Sequence, residues 1–398
     1  MNKNIFILTH GDTGAFETGS VPFEVRIPLN GHGKKSVKKK TEVYPGLLVA
    51  DHKNPKIGDM HAGITGIVTE VTDKHVIIKA QEPAAPAEGE EPKPTGVEPV
   101  SIDSLEGDEL LVALKGLGVD IRPLIRRCEL LVVNALNPEP GITYAESMLV
   151  HAKKTVDAGL ALLKRLSPAS KTIVALPTAS NATFTDADVA FIDPQYPNSL
   201  DELVVAKITG KESMKGVNVV DLHTLYNLGA VAESGMPLTH TVVCVEGKNV
   251  IAPIGTPVGA LLKHASIEVS DGDAVILGGP MRGETTGDLN KGIAKNTNAL
   301  FVMPAGSTAP ITDHPCFSCG SCLQHCPSRI QPNMIARYVE FNELDLCRQA
   351  DISACIECGL CTYYCPARRP VLQLIRLGKH KIALEEAQVT ACALQVDE

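Results

Sequence analysis

Two cysteine runs dominate the C-terminal part of this sequence. Nine of its twelve cysteines lie between positions 316 and 365. The first run reads C-x2-C-x2-C-x3-C-P over 316–327, and the second repeats that pattern over 355–366. Clustered cysteines in a reducing compartment indicate metal binding or catalysis rather than disulfide bonds.

The spacing of both runs matches the bacterial pattern for proteins with two [4Fe–4S] clusters. Three closely spaced cysteines let a short loop direct three thiolates at three irons, while loop N–H groups point at the cluster. In two-cluster proteins the fourth cysteine ligates the other cluster. The sequence therefore predicts one cluster held by Cys316, Cys319, Cys322 and Cys365, and a second held by Cys355, Cys358, Cys361 and Cys326.

Two structural zinc sites are the alternative interpretation of these runs. Tetrathiolate zinc sites usually show two separate C-x2-C pairs, a pattern that two identical four-cysteine runs fit poorly. Cys347 lies between the runs, and Cys128 and Cys244 lie beside or within apolar segments. We predict that these three are small buried side chains rather than ligands, and that Cys392 is an exposed thiol.

Composition excludes several other classes of protein. The net charge is −9, and no segment carries the basic field that duplex binding needs. Aromatic residues make up only 4%, without tryptophan, which argues against single-strand nucleic-acid binding. No apolar run approaches the roughly 18 residues of a membrane span, and the first residues do not read as a signal peptide. We expect a protein that is soluble and cytoplasmic, or one that is peripheral to a membrane through partners.

Hydrophobic periodicity and Gly/Pro punctuation divide the chain into five segments. They are a β-rich module over 1–80, a Pro- and Glu-rich linker over 81–99, an α/β domain over 100–237, a β module with one helix over 238–300, and a helical domain over 310–390. Strands that alternate with helices favour a parallel sheet in the α/β domain.

Local patterns also predict individual elements. Strands are predicted at 23–27, 64–71, 75–80, 130–134, 172–176, 241–245 and 274–277. Helices are predicted at 144–166, 258–264, 333–349 and about 371–386.

Several short motifs recur in one order along the chain. They are P-L-N-G-H at 28–32, H-A-G-I-T-G-I-V at 61–68, N-A at 134–135 leading to E-P-G-I-T at 139–143, G-G-P-M at 278–281, and both cysteine runs. In this order they resemble the C subunit of the Rnf-type ion-translocating, ferredoxin-linked oxidoreductase complexes.

The resemblance implies a multidomain α/β and β architecture. The β-rich module would be a barrel-sandwich, the α/β domain a flavin- and NADH-binding domain, the 238–300 module β-grasp-like, and the last domain a helical two-cluster ferredoxin-like domain. It implies an electron-transfer subunit at the cytoplasmic face of the cell membrane, while ion pumping belongs to other subunits. Expected partners are those subunits and a redox carrier, which is an iron–sulfur subunit, a ferredoxin or a cytochrome.

The chain departs from this family at its flavin and NADH loop. The family loop reads roughly G-x-G-G-x-G-F-P-T, where glycines let the backbone approach the cofactor and a helix N-terminus meets phosphate. The matching segment 116–123 keeps only two glycines and adds a negative charge at Asp120. A second family segment, Y-P-x-G, reads Y-P-N-S at 196–199, with Ser199 in place of the glycine. We expect this region to be degenerate and to hold no FMN; its remaining residues are Gly116, Gly118, Asn134 and Glu139.

Other functions stay open at this point. One is an active NADH-oxidising FMN subunit of the same type of complex, which flavin content would identify. Another is a soluble iron–sulfur scaffold, and a third is a non-redox zinc protein, which metal analysis would identify. We do not expect independent NADH dehydrogenase activity, and the sequence carries no H-E-x-x-H or P-loop motif.

His32 and His61 are predicted to be loop and packing residues. Five cations after the second run would either offset cluster charge or dock an acidic carrier: Arg368, Arg369, Arg376, Lys379 and Lys381.

Overall fold

The computed structural model describes residues 6–9, 14–29, 31, 34–81, 96–307, 310–312 and 314–396. The chain divides into two compact units. The first comprises Met1–Gly279 and Glu284–Val302, and the second comprises Pro280–Gly283 and Met303–Glu398. His32 and most of the predicted 81–99 linker lie outside the described residues, as does the side chain of Cys392.

Short strands form the N-terminal part of the first unit, and those from β2 to β8 pair antiparallel. Their bounds are β1 (Glu17–Thr18), β2 (Glu24–Pro28), β3 (Lys34–Lys35), β4 (Glu42–Val43), β5 (Leu48–Asp51), β6 (Met60–His61), β7 (Gly66–Val71) and β8 (His75–Ala80). One sheet has the order β2-β8-β7-β4 and another the order β3-β5-β6. Burial alternates along β2, as expected for a strand with one face on the core. The three strands predicted here are confirmed.

A parallel sheet forms the centre of the first unit. Its elements are α1 (Gly107–Gly116), β9 (Leu130–Asn134), α2 (Tyr144–His151), α3 (Lys153–Leu166), β10 (Lys171–Pro177), β11 (Asp188–Ile192), α4 (Asp201–Thr209), β12 (Val217–Asp221) and α5 (Leu222–Ser234). The strand order is β11-β10-β9-β12, and every pair is parallel. The prediction of a parallel sheet is therefore confirmed. Its two central strands, β9 and β10, are nearly continuous buried runs, as expected for a parallel sheet.

The single helix predicted over 144–166 is wrong. The helix is interrupted at Ala152, whose φ of −130° and ψ of 28° are not helical, so α2 and α3 are separate. The apolar spacing continues across this break and does not reveal it. Beyond the break, α3 packs closely against α5, and glycines allow the close approach. A Cβ on Gly229 would collide with the Thr155 carbonyl oxygen, and one on Gly159 with the Leu225 carbonyl oxygen.

A mixed six-stranded sheet completes the first unit. Its further elements are β13 (His240–Val245), β14 (Lys248–Pro253), α6 (Val258–His264), β15 (Ala274–Leu277), β16 (Glu284–Thr286) and β17 (Ala299–Met303). The order is β1-β14-β13-β17-β15-β16, so β1 joins this sheet although it lies within residues 1–80. Helix α6 packs Val258, Leu261 and Leu262 onto the sheet core. The predicted strands and helix of this segment are confirmed.

The second unit is helical. Its elements are α7 (Ser321–Gln324), α8 (Pro332–Glu340), α9 (Leu344–Gln349), a 3-10 turn (Ile352–Ala354), α10 (Leu360–Tyr363) and α11 (Val371–Val396). The single helix predicted over 333–349 is wrong, because Asn342 takes a left-handed φ of 58° between α8 and α9. The helix predicted from 371 is confirmed and continues further than expected. Cys347 is fully buried in the core of this unit, as predicted.

The fold class is thus mixed α/β with several sheets and a helical C-terminal unit. None of the helices in the described part of the chain combines the length and the apolarity needed to cross a lipid bilayer.

The crossing of α3 and α5 yields a stability prediction. We expect Gly229→Ala to lower the free energy of unfolding by about 1–3 kcal/mol, because the new methyl group overpacks a backbone contact. Gly116→Ala is the matched control, since nothing lies within 4 Å of a Cβ at that position. Urea denaturation of both variants measures the difference. Equal stabilities would show that the two helices separate easily.

Candidate functional site

The two cysteine runs fold into the same local structure, offset by 39 residues. Ser318 and Glu357 occupy equivalent positions with φ of 57° and 56°, and Gly320 and Gly359 follow with φ of 77° and 80°. Each glycine immediately precedes a short helix, α7 or α10. Because L side chains rarely adopt positive φ, the matching angles identify one loop geometry that is built twice.

Backbone N–H groups in both loops point at cysteine sulfurs. The N–H of Ser318 donates to Cys316 Sγ at 3.4 Å, and the N–H of Glu357 donates to Cys355 Sγ at 3.4 Å. Successive N–H groups in such turns form a concave site for negative charge. The loops are therefore suited to hold sulfur in its anionic form.

One cavity of the second unit gathers cysteines from both runs. It is lined by Cys316, Cys319 and Cys322 of the first run and by Cys365, the last cysteine of the second run. Asn333 and Arg369 also contribute to its lining. The four cysteines predicted for one cluster thus surround a common space.

The remaining four cysteines also lie close to one another. Burial, followed by the negative charges of Cys355 and Cys326, raises the pKa of Cys358 to about 11. Burial, followed by the charges of Cys358 and Cys355, raises the pKa of Cys361 to about 12. Cys326 and Cys355 also pack against the hydrophobic core that contains Cys361. Cys326 is therefore near the second run, as Cys365 is near the first.

This donor set fits an iron–sulfur cluster. Several thiolates crowded into a poorly solvated site repel one another, and a cationic iron core compensates that repulsion. Among the described residues, no three His, Cys, Asp or Glu side chains are arranged to hold a single metal ion.

The two cysteine sets differ in exposure. Cys316 and Cys319 are exposed, and Cys322 is buried. In the second run Cys358 and Cys361 are buried and Cys355 is partly buried. The first-run set is therefore closer to solvent than the second-run set.

The structure also brings together two rings that sequence reasoning missed. His325 and Tyr364 stack with ring centroids 3.6 Å apart and planes 14° apart. Nδ1 of His325 lies 2.8 Å from the Ser321 carbonyl oxygen, which fixes the orientation of the imidazole ring. Each ring belongs to the residue before the fourth cysteine of its run, so an alignment of the two runs would have paired them.

Two of the five cations after the second run point at its loop. Arg376 Nε donates to Glu357 Oε2 at 2.9 Å, and Lys379 Nζ donates to Glu357 Oε1 at 2.9 Å. Lys379 Nζ also donates to the Cys355 carbonyl oxygen at 2.6 Å. Arg369 pairs with Glu340 and Lys381 with Asn342, which places them away from that carboxylate.

The segment that matches the family's flavin loop is packed into the first unit. The N–H of Gly118 donates to the Lys115 carbonyl at 2.9 Å, and that of Ile121 donates to the Lys56 carbonyl at 3.1 Å. The side chains of Val119 and Ile121 are buried. Backbone donors that a phosphate would need are thus used within the protein.

A partly buried lysine holds the loop in this conformation. Lys295 Nζ donates to the carbonyl oxygens of Gly58, Asp59 and Gly118 at 2.9, 2.8 and 2.7 Å. Burial lowers the pKa of Lys295 to about 8. Burial, followed by the charge of Lys295, lowers the pKa of His61 to about 4, which agrees with its predicted packing role. No sequence pattern pointed to Lys295, which lies far along the chain from the loop.

None of the four residues predicted to remain from the cofactor site lines the groove beside this loop. Asp120, Arg122, Thr224 and Lys295 are among the residues that line that groove. Gly116, Gly118, Asn134 and Glu139 are all described, and all four lie outside its lining.

Two of these four have partners elsewhere. Asn134 Nδ2 donates to the Ser199 carbonyl oxygen and to Asp201 Oδ1, both at 2.8 Å. Glu139 is buried, and its carboxylate packs where a Cβ on Gly279 would lie. Both residues therefore support the packing of the first unit.

Curated relatives share one name, the C subunit of the ion-translocating oxidoreductase complex. The protein of Rhodobacter capsulatus is 25% identical over 424 residues, which cover 94% of this chain and 80% of that protein. The protein of Erwinia tasmaniensis is 30% identical over 66% of this chain and 36% of that protein. The protein of Vibrio cholerae is 25% identical over 84% of this chain and 49% of that protein. The predicted resemblance to the C subunit is confirmed, although this chain spans half or less of the last two relatives.

No family model matches the chain. Crystal structures of an NAD+-reducing [NiFe]-hydrogenase in the air-oxidised and the H2-reduced state match with TM-scores of 0.40 and 0.42 at 15% and 16% identity. These matches cover 56% and 64% of this chain and 49% and 56% of the hydrogenase chains. Scores at this level do not establish a common fold.

The repeated loop yields a prediction at its two glycines. Alanine at either position costs about 1–2 kcal/mol for the left-handed backbone. Gly359→Ala should lose more stability than Gly320→Ala. A Cβ on Gly359 would lie 2.6 Å from the Met281 carbonyl oxygen, whereas nothing lies within 4 Å of a Cβ on Gly320. Thermal unfolding and iron content of the two variants measure this difference. A larger loss for Gly320→Ala would contradict this loop geometry.

Proposed function

We propose that this chain is a C subunit of an Rnf-type ion-translocating oxidoreductase complex. In this role it relays electrons through two [4Fe–4S] clusters and has no FMN or NADH site of its own. The observation that carries the proposal is the placement of the fourth cysteines: Cys365 lines the cavity of the first run, and Cys326 packs against the core that holds Cys361. The names of the curated relatives support the complex.

The eight cysteines have distinct tasks in this proposal. Cys316, Cys319, Cys322 and Cys365 would hold one cluster, and Cys355, Cys358, Cys361 and Cys326 the other. A bound cluster of this kind supplies a site that accepts and releases one electron at a time. The N–H groups of Ser318 and Glu357 stabilise negative charge at the sulfurs that they contact.

The exchanged ligands fix the two sites in one rigid unit. Each run supplies a cysteine to the other, so neither loop can move away without breaking a ligand set. The stack of His325 on Tyr364 adds a second link beside the same two crossing points. A fixed, short separation serves electron relay, whereas structural metal sites have no need of it.

The difference in exposure suggests different tasks for the two sites. The first-run set, in which Cys319 is exposed, suits electron exchange with a partner. In the second-run set Cys358 and Cys361 are buried, so that site is shielded from solvent. We propose that the carrier is an iron–sulfur subunit, a ferredoxin or a cytochrome. The other subunits of the complex would hold the chain at the cytoplasmic face of the cell membrane.

The packed loop supports the absence of FMN. A flavin phosphate needs free N–H donors and close backbone approach. Here Gly118 N–H and Ile121 N–H are already bonded, and Lys295 occupies the carbonyl side of the loop. The first unit would then serve as a docking scaffold. We retain the predicted barrel-sandwich module at 1–80, linker at 81–99, flavoprotein-like domain at 100–237, β-grasp-like module at 238–300 and two-cluster domain at 310–390.

Metal and flavin analysis of the anaerobically purified protein tests this function. We expect about eight irons per chain from two four-iron clusters, no stoichiometric FMN, and no reduction of an artificial acceptor by NADH. Cys347→Ser should keep the iron, whereas Cys326→Ser should lose part of it. One FMN per chain with NADH turnover would instead identify an active NADH-oxidising subunit, and zinc without iron would identify a zinc protein.

A further inference from the structure

The two cysteine loops share their backbone but differ in their charges. In the second run the residue two positions after the first cysteine is Glu357, and its counterpart in the first run is Ser318. The second loop therefore carries a carboxylate where the first carries a hydroxyl. This difference draws cations to one of the two sites.

Glu357 binds two cations of helix α11. Arg376 and Lys379 are three residues apart, so they lie on one face of the helix. Each donates to a different oxygen of the Glu357 carboxylate at 2.9 Å. All three side chains are partly buried, between 27% and 32% exposed. The ion pairs are thus shielded from solvent more than a typical surface pair.

Lys379 reaches the backbone of a predicted cluster ligand. Its Nζ lies 2.6 Å from the Cys355 carbonyl oxygen. Arg376 is held further by the Arg282 carbonyl oxygen, to which its Nη2 donates at 3.0 Å. Its bonds to the Cys355 carbonyl and to Glu357 therefore fix the Lys379 ammonium next to the second loop.

The group carries a net positive charge. Arg376 and Lys379 each form an ion pair with the single carboxylate of Glu357, at 2.9 Å in both cases. Two cations thus face one carboxylate. The Lys379 ammonium contacts the Cys355 carbonyl oxygen, so this excess charge lies beside the backbone of the second loop.

We propose that Lys379, held by Glu357 and by the Cys355 carbonyl, raises the reduction potential of the second-run cluster relative to a site without that charge. The inference rests on the proposed two-cluster function. One-electron reduction adds one negative charge to a cluster, and a fixed cation nearby stabilises the reduced form. The effect is confined to one of the two clusters, because Lys379 contacts the loop of the second run.

An anaerobic redox titration of the holoprotein, followed by EPR, tests this inference. Lys379→Met should lower one of the two potentials by about 59 mV, which is a tenfold change in the equilibrium of a one-electron couple. Lys381→Met is the matched control, because it removes the same charge from the same helix where Nζ binds Asn342 Oδ1 at 2.7 Å. It should shift either potential by less than a third of that amount.

Two further variants keep the test decisive if Lys379→Met loads poorly. Lys379→Arg keeps the charge and should keep the wild-type potential. Glu357→Gln removes the negative charge and should shift the same potential upward. Equal shifts in Lys379→Met and Lys381→Met, or a shift in Lys379→Arg as large as that in Lys379→Met, would overturn the role of Lys379 and leave the two-cluster function intact. A wild-type protein without iron would overturn both.

Discussion

The meeting of the two cysteine runs around one cavity is the constraint on which the second unit depends. Cys365 can line the cavity of the first run only if the chain between the runs returns to its starting point. Helices α8 and α9 and the turn at Ile352–Ala354 make that return, with Asn342 in left-handed conformation between the helices. Ile335 of α8 and Ile375 of α11 lie in the hydrophobic core that joins these elements. The packing of the unit therefore serves the meeting of its two loops.

Charge distinguishes the two halves of this repeat. Backbone geometry is shared, including the N–H groups that face sulfur. The surroundings of the two loops differ. Cys316 and Cys319 are exposed in the first, whereas the second has buried thiols and two cations, Arg376 and Lys379, that are held by Glu357. An internal repeat of this kind supplies two sites of one shape, and local burial and charge then make their properties different.

Much of the structure follows from local patterns, and the exceptions have physical reasons. Buried apolar runs predicted strands such as β9. Cysteine spacing predicted two ligand sets, and the four cysteines of one set line a common cavity. The breaks at Ala152 and Asn342 were missed because apolar spacing continues through them, while only backbone angles change. Lys295 was missed because it meets Gly118 across 177 residues, a distance that no local pattern spans. The missing glycines did predict an altered loop, but not the ammonium that holds it.

The EPR spectrum of the fully reduced protein tests the exchange of ligands most directly, because two clusters held in this way must lie close together. We expect two reduced clusters whose signals are broadened and split by magnetic interaction. Partly reduced samples should show the simpler signal of one cluster. Two independent signals without interaction, or a single cluster per chain, would contradict the exchange of Cys326 and Cys365 between the runs.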